Sequence, residues 1–291
     1  MKKYLFRNVS LIFILSSFFV ATGAIAQANM TRPELADSAK SGQITPLGGV
    51  ELAKQLANPI ANVVSVPFQY NYSRGLGKDQ GGTEQTLLFQ PVMPINLGGG
   101  DNFIVRPIVT GVRETNIQGP SGRAYSGYGI SNVVVESFYA PNTNSSWIWG
   151  AGPFISSPAG NSGHFGSQQT GAGVTGVVLN RDGPWTYGVL AYQSWSVGGN
   201  PTSGTQNNLY GQPFISYTSN TAWTYMLVSQ AQYNYDAHRT NNPVDFVISK
   251  LHVFDGQPVQ IGMGPTYYLS NTPGGPSGWG GRAVVTFAFP K

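Results

Sequence analysis

The sequence predicts an all-β fold: a transmembrane antiparallel up-and-down β-barrel of about twelve strands with a short N-terminal helix. Three observations carry this: connectors that alternate between tight and long, strands with one apolar aromatic face, and aromatics gathered at strand ends. Between Val63 and Phe289 the gaps at Gly98–Asp101, Pro141–Ser145, Arg181–Gly183, Ser219–Thr221 and Asp255–Gly256 are tight. Those at Arg74–Gly82, Glu114–Tyr125, Ser157–Thr170, Gly198–Thr205, Asp236–Asn242 and Ser270–Gly278 are long and rich in Gly, Asn, Ser and Pro. A barrel in an outer membrane has short periplasmic turns and longer external loops, whereas a soluble Greek-key sandwich has no reason to alternate.

The strand faces follow a period of two. In Trp185–Val197, the residues Trp185, Tyr187, Val189, Ala191, Gln193, Trp195 and Val197 share one face, and smaller or more polar residues share the other. Trp223–Tyr235 and Val259–Leu269 repeat the pattern, while Val133–Val135 and Asp245–Val253 can be phased either way. Trp147, Trp149, Trp185, Tyr187, Trp223 and Tyr225 follow tight turns; Tyr72, Trp195, Tyr233, Tyr235 and Trp279 lie beside long loops. Two such rings are interfacial girdles in contact with outer-membrane lipid. Trp185 and Trp195 lie ten residues apart. That is ~33 Å of strand at ~3.3 Å per residue, and roughly 25 Å of height at a tilt near ~40°.

The segments before the barrel read differently. Residues 1–26 look like a cleaved secretory signal, with Lys2, Lys3 and Arg7 before the apolar run Val9–Val20 and cleavage after Ala26 or Ala28. Residues 27–62 are a polar segment holding a short amphipathic helix at about 46–57, and residues 63–291 form the barrel. Leu52, Leu56 and Ile60 recur at helical spacing, Glu51, Lys54 and Gln55 fill the other face, and Pro59 ends the helix. It is expected to plug the lumen and cap the periplasmic mouth, the alternative being a helix that lies loose; as a plug it would bring Glu51 or Lys54 to one of the charged residues of the lumen.

Composition removes other classes. The signal holds three of sixteen basic residues and none of the acids, leaving thirteen basic against twelve acidic residues. No Lys/Arg stripe remains, so nucleic acid is not an expected partner. Charged residues make up 10%, well under the quarter or so usual in soluble domains. There is no cysteine, and no metal or cofactor motif appears. Enzymatic chemistry would need a nucleophile–histidine pair; His164, His238 and His252 read as loop and strand-end residues, so no catalytic, cofactor or metal site is expected.

Charged residues inside strands are the candidate functional side chains. With aromatics outward, Arg106, Glu136 and Arg282 point into the barrel, joined by Gln69, Gln90, Gln230 and Gln232. A charge on the lipid face costs about 2–4 kcal/mol near mid-membrane, which favours the inward phase. Such residues either line a pore and bias its selectivity or pair with one another across a closed lumen.

Several motifs resemble a known family. They are Glu51-Leu52-Ala53-Lys54-Gln55 followed by Asn58-Pro59-Ile60-Ala61-Asn62 and Ser65-Val66-Pro67-Phe68-Gln69, then Gln90-Pro91-Val92-Met93-Pro94. Trp149-Gly150-Ala151-Gly152-Pro153, Gly183-Pro184-Trp185-Thr186-Tyr187-Gly188, Gln212-Pro213-Phe214 and Phe289-Pro290-Lys291 complete the set. Over Glu51 to Lys291 the chain resembles the outer-membrane barrels named for the meta-pathway of phenol degradation, often labelled "transporter" or "neuromedin U". The resemblance implies a barrel for passage of small, hydrophobic or aromatic solutes. The last strand, Arg282–Phe289, looks like the terminal signal read by barrel-assembly machinery, apart from Pro290-Lys291 after the final Phe.

Overall fold

The computed structural model describes residues 46–119, 121–143, 145–159, 165–200 and 206–290. The expected signal peptide, the polar residues 27–45 and His164 lie outside the described residues. Helix α1 spans Pro46–Leu56. It is followed by β1 (Val64–Leu76), β2 (Gly82–Phe89), β3 (Met93–Gly98), β4 (Asp101–Gln118), β5 (Ala124–Ile130) and β6 (Val133–Ala140). Then come β7 (Trp147–Ser157), β8 (Gln169–Asp182), β9 (Trp185–Gly199), β10 (Asn208–Thr218) and β11 (Trp223–Ser229). The chain ends with β12 (Ala231–Asn234), β13 (Arg239–Phe254), β14 (Gln257–Ser270) and β15 (Gly278–Phe289).

These segments make a closed barrel of twelve strands. β2 and β3 pair with the two halves of β4, β5 and β6 do the same from its other side, and β11 and β12 both lie between β10 and β13. Each couple is one barrel strand with an interruption. All pairings are antiparallel, and closure comes from β1 against β15, with Val64 opposite Phe289. The chain thus enters and leaves the barrel at the end that carries all five tight turns, the even-strand geometry expected when both termini face the periplasm. Pairing runs further than the loop-like composition suggests: β4 reaches Gln118 and β13 begins at Arg239, because backbone bonds extend hairpins through Asn- and Gly-rich sequence.

The outer wall is apolar and aromatic. Trp147, Trp149, Trp185, Tyr187, Trp223 and Tyr225 are exposed at the tight-turn end. Trp195 and Trp279 are exposed near the long loops, with Tyr233 half-buried against Tyr235. Rings meet edge-on along the lower girdle, as in Trp147 with Tyr187 at 6.2 Å and Trp185 with Tyr217 at 5.1 Å. Val189 stands between the two tryptophans of β9 and faces outward. Val189→Arg is therefore expected to cost about 2–4 kcal/mol of barrel stability, read by reversible denaturant unfolding in lipid vesicles.

Candidate functional site: a plugged and cross-braced lumen

The inward faces pack against one another in layers, which step along each strand by two residues. Nearest the tight turns, α1 closes the mouth. Leu52 and Ala53 are buried against Val63, Ala222, Leu251 and Ala288, where Ala222 belongs to the β10–β11 turn. Ala53 is 0% exposed, so the helix touches the barrel through a residue with no spare volume. Asn58 Oδ1 accepts a hydrogen bond from the Ile60 amide at 2.9 Å and turns the chain inward after the helix. Ile60 then enters a cluster with Val92, Ile104, Phe138, Leu179, Leu190, Phe214 and Val228, drawn from most of the strands. This apolar layer fills the lower lumen.

The next layer is charged. One step outward from Ile104, Phe138 and Phe214 come Arg106, Glu136 and Gln212 with Tyr210. Arg106 Nη1 lies 3.2 Å from Glu136 Oε2, and its Nη2 donates to Gln90 Oε1 at 3.0 Å. Gln69 lies 3.3 Å from Gln90. In one amide orientation Gln69 accepts from Gln90 and donates to Asn71 Oδ1 at 3.1 Å; in the other its oxygen instead accepts from Arg282 Nε and Nη2 at 3.3 Å. Arg282 Nη1 pairs with Asp245 Oδ2 at 2.9 Å, its Nε donates to Asn71 Oδ1 at 2.8 Å, and its Nη2 donates to Gln230 Oε1 at 2.5 Å. Thr266 donates to the other Asp245 oxygen at 2.5 Å, and Gln230 donates to the Tyr210 hydroxyl at 3.1 Å. Two guanidiniums and two carboxylates are thus joined into a continuous, charge-balanced belt across the lumen. Beside it, Phe154, Tyr192 and Tyr210 stack with centroids 4.2 and 4.8 Å apart.

The belt is dry. Asp245 is 0% exposed and Glu136 2%. Outside it, Gln206, at the end of the β9–β10 connector, folds inward. It accepts from Ser156 at 2.5 Å through its amide oxygen and from Ser194 at 3.1 Å through its carbonyl, and its amide nitrogen donates to the Gln169 carbonyl. Helix mouth, apolar layer, charged belt and this polar cap occupy the lumen in succession.

Arg106, Glu136, Arg282, Gln69, Gln90 and Gln230 all point inward and converge in one network. Gln232 shares the inward face but lies beyond it, exposed among the outer ends of β10 and β13. The expected approach of the helix to the charged belt is corrected: Glu51 pairs with Arg181 at the inner end of β8, and among the described residues no hydrogen bond or ion pair joins Lys54 or Gln55 side chains to the belt. The helix stops at the mouth, separated from the belt by the apolar layer that Ile60 enters. Sequence reasoning missed Asp245, Asn71, Tyr192, Tyr210 and Gln206. Among the described residues, no group of three His, Asp or Glu side chains could hold a metal ion.

No protein-family model matches the chain, and no curated protein matches it. Among solved structures, the fold is similar to the COG4313 outer membrane channel from Pseudomonas putida F1. The TM-score is 0.61 at 11% identity, covering 78% of this chain and 95% of that one. A weaker likeness joins it to the outer membrane phospholipase of Salmonella typhi, with a TM-score of 0.43 at 13% identity over 82% and 98% of the two chains. The architecture is that of an outer-membrane β-barrel.

Proposed function

We propose that this chain is an outer-membrane channel for small solutes, closed at rest by residues 46–62 and by the charged belt. The carrying observation is the belt itself, two buried ion pairs at mid-barrel. Replacing a buried ion pair by well-packed apolar residues is often neutral or stabilising, so a purely structural barrel gains little from one. A polar, charge-balanced belt is useful where a polar passage must form and close again. The fold neighbour from Pseudomonas putida, described as an outer membrane channel, supports the same reading. The motif resemblance extends it to small hydrophobic or aromatic solutes and to passive movement in either direction. The N-terminal signal-like sequence and the terminal strand fit export and delivery by barrel-assembly machinery to the outer membrane.

A closed barrel acting structurally or through its loops is the competing reading, favoured by the filled lumen. Single-channel conductance in planar bilayers separates the two. Removing residues 45–62 takes away both the helix and Ile60, and conductance is expected to rise at least several-fold over the full chain. No conductance with or without the segment, in samples that still show a folded barrel, defeats the channel reading and leaves the structural one.

A further inference from the structure

We propose that the outer wall of β1, β2 and β4, beside the long loops, binds the phosphates of the acylated disaccharide that anchors lipopolysaccharide in the outer leaflet, through Arg74 and Arg113. The inference needs a barrel in an outer membrane with its long loops outside. It does not need the barrel to conduct.

The facing of each residue follows from the strand period. On β1 the odd residues face the lumen: Asn71 bonds Arg282 and Ser73 bonds Tyr268. Tyr72 and Arg74 therefore face out, and both are exposed. On β4 the inward set that holds Arg106 continues through Val112 and Glu114, so Arg113 faces out and is exposed. Arg74 stands opposite Thr83, and Gln85 stands opposite both Tyr72 and Arg113. Tyr128 of β5 stands on the other side of Arg113. The outer wall thus carries a row of Tyr72, Gln85, Arg113 and Tyr128, with Arg74 and Thr83 one step nearer the loops. The two arginine Cα atoms are two strands and two residues apart, roughly 12 Å at ~4.8 Å per strand and ~3.3 Å per residue. A disaccharide with a phosphate at either end can bridge that distance.

The arginines are uncommitted and the wall beside them is hollow. Among the described residues, no hydrogen bond or ion pair engages the side chains of Arg74, Lys78, Arg113 or Arg123. A cavity of about 440 Å³ opens at Arg74, lined also by Tyr72, Gln80, Gly82, Thr83 and Ser277. It lies where the β1–β2 pairing shifts register between Arg74 and Leu76. Lys78 and Arg123 stand above it on adjoining connectors, since the Lys78 amide donates to the Gln118 carbonyl at 3.0 Å and the Gly119 amide to the Arg123 carbonyl at 3.1 Å. Of the nearby acids, Asp79 accepts from the Gly81 amide at 3.1 Å, while Glu84 and Glu114 face each other on the lumen side. Of the described basic residues at the long-loop end, Arg239 on β13 alone lies away from this group. Across the barrel, the exposed residues at this height are Trp195, Val197 and Leu209, without charge. The height suits a headgroup: Tyr72 and Tyr128 mark the interface, where an outward charge is no longer costly. A guanidinium grips a phosphate by two charge-assisted bonds at once. Below the row Leu87, Phe89 and Ile130 are exposed, an apolar track for the acyl chains.

The test is native mass spectrometry of the full chain folded in detergent, titrated with diphosphoryl lipid A, with the same lipid stripped of both phosphates, and with phosphatidylglycerol. The wild-type barrel is expected to hold one diphosphoryl lipid A roughly tenfold or more tighter than either comparison lipid. R74Q/R113Q is expected to lose about that factor for diphosphoryl lipid A and to fall to the phosphate-free value. R239Q should keep the wild-type affinity. R74K/R113K keeps the charge without the two-pronged contact and should fall between wild type and R74Q/R113Q. Equal binding by wild type and R74Q/R113Q overturns the proposal. So does an R239Q loss as large as that of R74Q/R113Q, which would mean that any cation at the loops serves. Phosphatidylglycerol held as tightly as diphosphoryl lipid A also overturns it, and would mark a general anionic-lipid surface. If R74Q/R113Q fails to fold, the wild-type comparison decides: equal affinity for lipid A with and without its phosphates ends the proposal. None of these outcomes depends on conductance, so a silent barrel that binds lipid A removes the channel reading and leaves this one standing.

Discussion

Asp245→Ala is expected to destabilise the barrel by about 3–5 kcal/mol, because it leaves the Arg282 guanidinium buried without its counter-charge. The Arg282 side chain is 9% exposed, so water cannot replace the carboxylate. Asn71 and Gln230 would still accept hydrogen bonds from it, but neither carries charge. The pair variant D245L/R282M removes both charges at once and should recover most of the loss, since desolvation of both ions is avoided. The two single variants and the double variant form a cycle, measured by denaturant unfolding in lipid vesicles, and the coupling should exceed ~1 kcal/mol. Additive losses would mean that the two groups are near each other without depending on each other. The pair variant should fold well yet conduct differently, because the belt then lacks one of its ion pairs.

Much of the barrel was legible because the membrane imposes a rule that sequence displays. Lipid must meet apolar side chains, so Trp185, Val189 and Trp195 fall on one face of β9, and the same cost turns Arg106, Glu136 and Arg282 inward. The helix was legible from Leu52, Leu56 and Ile60. Asp245 was not, and the reason is physical. Alternation is clear only where the two faces differ, and the lower lumen is filled with apolar side chains instead of water. Along β13 the inward set is Asp245, Val247, Ser249 and Leu251 against outward Phe246 and Ile248, a contrast too weak to fix the phase. The strand breaks were hidden for a related reason. Pro91 and Pro107 are individually tolerable, and only the register places them opposite each other. Gln206 reaches the lumen from a connector, where periodicity carries no information.

The second large effect separates the helix from the wall that holds it. Ala53→Trp is expected to expel α1 from the mouth and bring conductance to the level of the chain lacking residues 45–62. Ala53 has no exposed surface and lies in the cluster with Leu251, Ala222 and Ala288. Overpacking a filled site costs about 1–3 kcal/mol even when neighbours yield, and an indole is far larger than the added methylenes on which that range rests. The neighbours here cannot yield easily, because Leu251 and Ala288 belong to strands of the closed ladder and Ala222 to a tight turn with positive φ. The helix is the mobile party: the Glu51–Arg181 ion pair is partly exposed and holds it weakly. Leaving the mouth also withdraws Ile60 from the apolar layer, since only a short stretch of chain separates it from the helix. The variant should therefore conduct while its denaturant midpoint stays near that of the deleted chain. If Ala53→Trp lowers barrel stability and leaves conductance unchanged, α1 is a structural part of the wall, and the charged belt alone closes the lumen.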